Sequence, residues 1–422
     1  MLQNLTLQNY KNLSLSQGFT LGPLNILIGP NGSGKSNFVA ALQFLRDALA
    51  PSGAWESGDE GLEMAMLELG ERKMLSGHLV LPGQVGFEYV FAPDQQFHKG
   101  IRYQLNLEVT EQVGVRIHSE RLSDAESDRD EPFYYFKCHD RHKGECVVSM
   151  YLNPGESPQT RFETFREVST RELGLGALPV YLEQSAHPPE HTPFYKVRRR
   201  LVEMARKWHF YNANNMNLAR IRQAEPKIGQ KDIVLSPNGE NLALVVDNLV
   251  QKHLDFEDSL NLAMKSILSE TRRVRPIRTG QLGLSLEWYF GGQQEPFFLS
   301  ELSDGTVRML CWAVVLLSPE LPSLLVLDEP ELGLHPSWLG TLAQWIQRAS
   351  EQTQVLVSTH SPDLLDHFSK RADDVVCFCK AEDGLWGLTR LDQEILDAKM
   401  NEGWELGDLY SVGDPLVGGW PW

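Results

Sequence analysis

The sequence predicts an α/β fold in two lobes, with an attached antiparallel β-subdomain and a helical insertion. Three observations carry this. Short apolar runs at Asn25–Ile28, Leu324–Leu327 and from Gln354 do not alternate, as expected of strands buried on both faces of a parallel sheet. Alternating segments separated by turns rich in Gly, Asp and Asn fill residues 75–180. Helical periodicity dominates residues 186–280. The 422 residues also exceed the ~250–300 at which a single core stops growing. We therefore expect an N-terminal lobe over 1–185, a helical insertion or lid over 186–290 and a C-terminal lobe over 291–422.

The first apolar strand runs into Gly29-Pro30-Asn31-Gly32-Ser33-Gly34-Lys35-Ser36, and a helical pattern follows from Asn37. This is G-x-x-x-x-G-K-S between a strand and a helix, the setting a phosphate-binding loop requires. The glycines let the backbone curl so that successive N–H groups point inward, and the helix start adds its positive end. Lys35 is placed to reach the β- and γ-phosphates and the Ser36 hydroxyl to ligate Mg²⁺. ATP and Mg²⁺ are the expected ligands. A glycine-rich turn with a chance Lys-Ser is the alternative, and the strand–loop–helix setting weighs against it.

In the β-rich segment, strands are expected at Gly86–Phe91, Tyr103–Val109, Gly114–His118, Phe133–Lys137 and Glu145–Leu152. Cys138, His142 and Cys146 cluster near one hairpin tip, but their spacing is irregular and a fourth zinc ligand is not evident, so chance is the better explanation. The five cysteines are few and odd in number, which suits reduced thiols in a cytoplasm. The N-terminus lacks the basic start and apolar run of a signal peptide, and no stretch reaches the ~18 apolar residues of a membrane span. A cytoplasmic protein without membrane contact is expected.

Within the insertion, helices are expected over Lys196–Arg206, Asn241–His253 and Phe256–Leu268. No heptad pattern is sustained, so a compact lid is expected rather than a coiled coil. The formal net charge of −17 repels a nucleic-acid backbone, so any DNA contact would need a local basic patch. Two candidates are Lys196 to Lys207, with Arg198, Arg199, Arg200 and Arg206, and Arg272 to Arg278, with Arg273 and Arg275. Solvated helix faces explain them equally well.

The second apolar strand ends in Asp328-Glu329, where an acid pair at the end of a buried Leu/Val run is costly without a purpose. Asp328 is the expected Mg²⁺ ligand and Glu329 the general base for an attacking water. The third strand ends in Ser358-Thr359-His360, and His360 is a candidate to hydrogen-bond the γ-phosphate or that water.

The order of these motifs, with Leu302-Ser303-Asp304-Gly305-Thr306 before Leu325-Val-Leu-Asp-Glu-Pro330, resembles an ABC/SMC-type P-loop ATPase head. More narrowly it is similar to the bacterial RecF/OLD-like AAA ATPases. The Leu7-Gln-Asn-Tyr-Lys-Asn-Leu13, Trp208-His-Phe-Tyr-Asn212, Leu235-Ser-Pro-Asn-Gly-Glu-Asn-Leu242 and Leu406-Gly-Asp-Leu-Tyr410 segments carry that narrower likeness. The resemblance implies that Ser303, Asp304 and Gly305 form a signature. It would cap the following helix and present N–H groups to ATP held by a second subunit. It also implies a homodimer of heads, with Glu331 and His335 at the dimer contact. Asp304 departs from the transporter pattern and adds negative charge near phosphate. The Mg²⁺-sensing glutamine is not placed, Gln84 and Gln104 both falling in the plausible region.

Three functions are weighed. A nucleotide-driven dimeric switch in DNA repair or anti-phage defence is favoured. About sixty residues follow Ser361, so a nuclease or toxin effector is expected on a separate protein. A transporter ATPase subunit fits poorly with the 267 residues between Ser36 and Ser303. A scaffold that holds ATP without turnover fits poorly with Glu329 and His360. The aromatic tail with Trp404, Trp420 and Trp422 is expected to pack on the sheet or dock a partner.

Overall fold

A computed structural model of the protein describes residues 1–50, 60–77, 79–111, 114–126, 132–139, 144–151, 160–185, 189–381 and 384–419. The chain opens with β1 (Leu2–Tyr10), β2 (Leu13–Thr20), β3 (Leu24–Ile28), α1 (Lys35–Leu49) and α2 (Glu60–Leu69). Six strands follow: β4 (Gly83–Phe91), β5 (Ile101–Thr110), β6 (Gly114–Asp124), β7 (Tyr134–His139), β8 (Glu145–Tyr151) and β9 (Thr160–Phe165). Then come α3 (Gly174–Gln184), α4 (Phe194–Arg206), β10 (Trp208–Asn212), α5 (Leu218–Gln223), α6 (Leu242–Lys252) and α7 (Phe256–Ile267). Next are β11 (Thr271–Thr279), β12 (Gly283–Phe290), β13 (Phe297–Phe298), α8 (Asp304–Leu316), β14 (Leu324–Asp328), α9 (Leu339–Ser350) and β15 (Gln354–Ser358). The last are α10 (Pro362–Asp366), β16 (Val375–Lys380), β17 (Trp386–Arg390), α11 (Gln393–Asn401) and α12 (Leu406–Val412).

These elements form two compact units, each drawn from separate stretches of chain. The first comprises Met1–Gly22, Asn31–Trp208 and Phe378–Thr389. Its antiparallel sheet runs β2-β1-β4-β5-β6-β7-β8-β9, and β17 joins β2 in parallel. Strict alternation on β5 buries Ile101, Tyr103, Leu105, Leu107 and Val109 on one face. Helix α1 lies on this layer: the Tyr89 hydroxyl donates to the Ala41 carbonyl at 2.7 Å, and Phe44 and Phe87 have ring centroids 4.9 Å apart. The five strands expected from alternation are all present, and β9 adds a sixth.

The β7–β8 register sets Cys138 opposite Cys146. The two are joined in a disulfide, which corrects the expectation of five free thiols. Cys311, Cys377 and Cys379 are free. The pairing also removes both cysteines from the zinc alternative, and His142 lies outside the described residues.

The second unit comprises Pro23–Pro30, His209–Cys377 and the chain from Arg390 onward. Its sheet runs β10-β14-β15-β3-β16. β14, β15 and β3 are parallel, with Asp328 beside Ser358 and Ser358 beside Leu27. Every residue of β3 and β15 is buried, the polar Asn25, Gln354 and Ser358 included, as expected of strands covered on both faces. Helix α8 is buried along its length from Thr306, with Trp312 fully enclosed. The three predicted helices appear as α4, α6 and α7. Between them, Trp208–Asn212 is a sheet strand, which helical periodicity did not reveal. The Arg272–Arg278 cluster is likewise on a strand and not on a helix face: β11 pairs with β12 in a small antiparallel sheet that buries Val274 and Trp288. Among the described residues, no helix is long and apolar enough to cross a membrane.

Candidate nucleotide site

The phosphate loop joins β3 to α1, and the chain leaves the second unit for the first between Pro30 and Asn31. Gly32 has φ +78° and Gly34 φ +105°, conformations that a side chain rarely adopts. A Cβ on Gly34 would lie 2.5 Å from Leu13 Cδ2, so only glycine fits there. Asn12 Nδ2 donates to the Gly32 carbonyl at 2.8 Å, and Asn37 Nδ2 donates to Asn12 Oδ1 at 2.7 Å. The motif around residues 7–13 thus reads physically: Asn12 clamps the loop and Leu13 fills the space beside Gly34.

Three features fit a phosphate group. No side chain caps α1, whose start carries the helix's positive end. The Ser33 hydroxyl is buried without a hydrogen-bond partner, and the loop curls through two left-handed glycines. Lys35 is buried while Ser36 is exposed.

In the second unit, the C-terminal ends of β14 and β15 bring together most of the predicted acid and switch residues. Asn212 Nδ2, from the end of β10, donates to Asp328 Oδ2 at 2.6 Å. The Ser358 hydroxyl donates to Asp328 Oδ1. Each carboxylate oxygen keeps a lone pair, so Asp328 is held in place and still able to receive a hard cation or its water. Glu329 has φ +50°, uncommon for a residue with a side chain. Its N–H donates to the Ser358 carbonyl at 2.9 Å. Asn214 Nδ2 reaches Glu329 Oε2 at 3.2 Å.

Glu331, expected at a dimer contact, turns inward. Its Oε1 accepts from the Thr359 hydroxyl at 2.6 Å and from the His360 N–H at 3.1 Å. Burial pushes its carboxyl above the usual range. His335 is exposed and close to Ser337, at 2.7 Å. The His360 ring meets Tyr410: Nδ1 lies 3.2 Å from the phenol oxygen, and the same hydroxyl donates to the Gly29 carbonyl at 3.3 Å.

Ser303 caps α8 as expected, accepting from the Thr306 N–H at 3.3 Å, and is itself exposed. A Cβ on Gly305 would sit 3.0 Å from the Trp338 ring, so a small residue is needed there. Arg222 on α5 donates to the Leu302 carbonyl at 2.8 Å and to Asp304 at 2.5 Å, which offsets the added negative charge. Two α8 side chains brace the loop after Glu329: Trp312 Nε1 donates to the Pro330 carbonyl at 2.9 Å and Arg308 to the Leu332 carbonyl at 2.6 Å. Residue spacing did not mark Asn12, Asn212, Asn214, Arg222, Arg308, Trp312 or Tyr410. Asn12, Asn212 and Tyr410 do lie within the family-like segments. Gln104 donates to Glu88 at 2.6 Å inside the antiparallel sheet, while Gln84 is exposed on β4.

This fold and the phosphate loop define the class of P-loop ATPase domains. The chain belongs to the family described as "AAA domain, putative AbiEii toxin, Type IV TA system", whose sequence model matches residues 24–143 and 157–366, well over half of the chain. Among curated relatives, the Old nuclease of Escherichia phage P2 is 24% identical over 143 residues, covering 31% of this chain and 24% of that protein. The Retron Vc95 probable ATPase of Vibrio cholerae serotype O1 biovar El Tor is 24% identical over 153 residues, covering 30% of this chain and 29% of that one. The match thus spans less than a third of either relative. Among solved structures, an SMC head bound to the C-winged helix domain of ScpA superposes with a TM-score of 0.52 at 10% identity, covering 93% of this chain and 99% of that one. An SMC head domain from Thermotoga maritima gives 0.45 at 13% identity, over 93% and 99%.

Proposed function

We propose that the protein binds ATP with Mg²⁺, hydrolyses it, and couples the cycle to head-to-head dimerisation. The observation that carries this reading is the edge where Asp328 and Glu329 are held by Asn212, Asn214 and Ser358, beside His360. Two acids fixed there by donors, with room left on each carboxylate, suit metal binding and water activation better than structure alone. Ser36 and Asp328 would hold Mg²⁺, which when bound neutralises charge on the β- and γ-phosphates.

Lys35 and the loop amides hold the phosphates and stabilise the charge that develops as the bond from the γ-phosphorus to ADP breaks. Glu329 takes a proton from the water whose oxygen bonds to that phosphorus. Ser303 and the start of α8 serve ATP held by a second copy, so closing the dimer completes the site. Replacing Lys35 by Ala should abolish ATP binding. Glu329→Gln should keep binding, lower turnover by about a thousand-fold and accumulate an ATP-bound dimer in size-exclusion chromatography. Normal turnover in either variant sinks this assignment.

The biological setting we infer is DNA repair or anti-phage defence, beside a separate effector such as a nuclease. One curated relative is named a nuclease, which supports that kind of effector, and the other a probable ATPase. For nucleic acid, each basic cluster mixes internally paired and exposed cations, with Lys196, Arg199, Arg206 and Lys207 exposed in the first. In the first unit, Arg198 donates to the Leu175 carbonyl at 2.6 Å and Arg200 pairs with Asp94 at 2.7 Å, so both serve internal contacts. In the second unit, Arg273 pairs with Glu257 at 2.6 Å and Arg275 with Glu287 at 3.0 Å, while Arg272 and Arg278 are exposed. A cleft of about 370 Å³ is lined by Arg272, Arg273, Arg275, Tyr289, Phe290 and Gln293. We assign any DNA contact to that strand. Charge reversal at Arg272 and Arg278 should weaken DNA binding and flatten its salt dependence; an unchanged salt slope would exclude this strand as the contact.

A further inference from the structure

The segment Leu406-Gly-Asp-Leu-Tyr410 lies far along the chain from the other motifs, yet its helix is built to deliver one hydroxyl to the site. Leu406 and Leu409 are buried. A Cβ on Gly407 would lie 2.3 Å from the Pro362 carbonyl oxygen, so only glycine lets α12 press against α10, the helix that follows His360. The Gly407 N–H donates to Asp366 at 2.6 Å, the Leu406 N–H donates to Ser369 at 3.0 Å, and the Glu405 N–H donates to Asp408 at 3.1 Å. Tyr410, 7% exposed, is thereby held between the Gly29 carbonyl and the His360 ring.

We propose that Tyr410 is a positioning residue that fixes the tautomer of His360 and ties its ring to the first carbonyl of the phosphate loop. A carbonyl can only accept, so the single phenol hydrogen goes to Gly29. The phenol oxygen then faces His360 Nδ1 as an acceptor, which requires the hydrogen on Nδ1. A neutral imidazole carries one N–H, so Nε2 is left with its lone pair. His360 in this form accepts a hydrogen bond at Nε2 from the attacking water and does not donate to the γ-phosphate. Burial supports the arrangement by pushing the Tyr410 phenol up to about 12, so it keeps its hydrogen at neutral pH.

The proposal rests on His360 belonging to the hydrolytic site, and the experiment separates the two ideas. Full-length protein carrying ¹⁵N-histidine is recorded without nucleotide, and the His360 signals are assigned by their loss in His360→Asn. Nδ1 should report as the protonated nitrogen and Nε2 as the bare one. In Tyr410→Phe the tautomer should shift toward Nε2–H and kcat fall about 10–100-fold, as for loss of an orienting partner, while ATP affinity holds. Gly407→Ala keeps the phenol but displaces α12, and should reproduce both changes if the protein stays folded by circular dichroism. An Nε2–H tautomer in the unmodified protein overturns the proposal, and so does an unchanged tautomer in Tyr410→Phe. Full turnover in His360→Asn would overturn the role of His360 instead, while the nucleotide-free spectra would still decide whether Tyr410 sets its ring.

Discussion

The phosphate loop and the acid edge reach the same end by opposite means. The loop is made from backbone: glycines at φ +78° and +105°, an uncapped helix start, and one asparagine clamp from twenty residues away. The acid edge is made from side chains brought in across the fold, with Asn212 reaching Asp328 over 116 positions and Tyr410 reaching His360 over 50. A backbone device needs particular residue types at fixed spacing, so substitutions that add atoms break it. A side-chain device depends on donors that tertiary structure supplies, so it should fail by degrees.

The largest effect that this contrast predicts is at Gly34. Alanine there meets a left-handed φ and a Cβ 2.5 Å from the Leu13 side chain, so the loop must open. Nucleotide affinity should drop at least 100-fold, about 3 kcal/mol, in a fluorescent-ATP titration. Near-normal affinity in Gly34→Ala would show that the backbone conformation is not what binds phosphate.

A smaller, graded loss is expected at the acid edge. Asn212→Ala removes one of the two donors that orient Asp328 and leaves Ser358 in place. Turnover should fall about 10–100-fold with ATP affinity little changed, so the effect appears in kcat and not in KM. If Asn212→Ala instead abolishes binding as Gly34→Ala does, the acid edge is not an independent device and the comparison collapses.

The same contrast explains what could be read before folding. The parallel strands were legible because full burial leaves an unbroken apolar run, as in Leu324–Leu327. The phosphate loop was legible because Gly32 and Gly34 stand where only glycine serves. Ser303 was legible as a cap because capping is local, joining it to Thr306 three residues on. The family-like segments were visible as motifs, but not the work of their residues. Asn12 clamps a loop that starts seventeen positions later, and Tyr410 meets both Gly29 and His360. The strand Trp208–Asn212 was missed because its two buried residues, Trp208 and Tyr211, stand three apart and give neither an unbroken apolar run nor strict alternation. The Cys138–Cys146 pairing depends on hairpin register, which spacing alone does not specify.

The smallest effect on turnover is expected in the first unit, where a buried acid serves structure instead of chemistry. Glu120 is 1% exposed on β6. It accepts from the Tyr103 hydroxyl at 2.9 Å and from the Gly174 N–H at 2.6 Å. Burial pushes its carboxyl up to about 7 despite those donors. The native state therefore holds a proton that the unfolded chain releases near its ordinary value. Between pH 4.5 and about 7, stability should fall as pH rises, flattening above that window, by up to about 3 kcal/mol. Glu120→Gln keeps an acceptor for Gly174 while the Tyr103 hydroxyl can turn to accept from the amide. Denaturant unfolding across that window should lose the Glu120 share of its pH slope in Glu120→Gln, with ATP turnover at neutral pH unchanged. A slope that persists would place the native charge of Glu120 elsewhere. A loss of turnover without loss of stability would make this acid part of the chemistry, erasing the distinction between an acid held for work and one buried for structure.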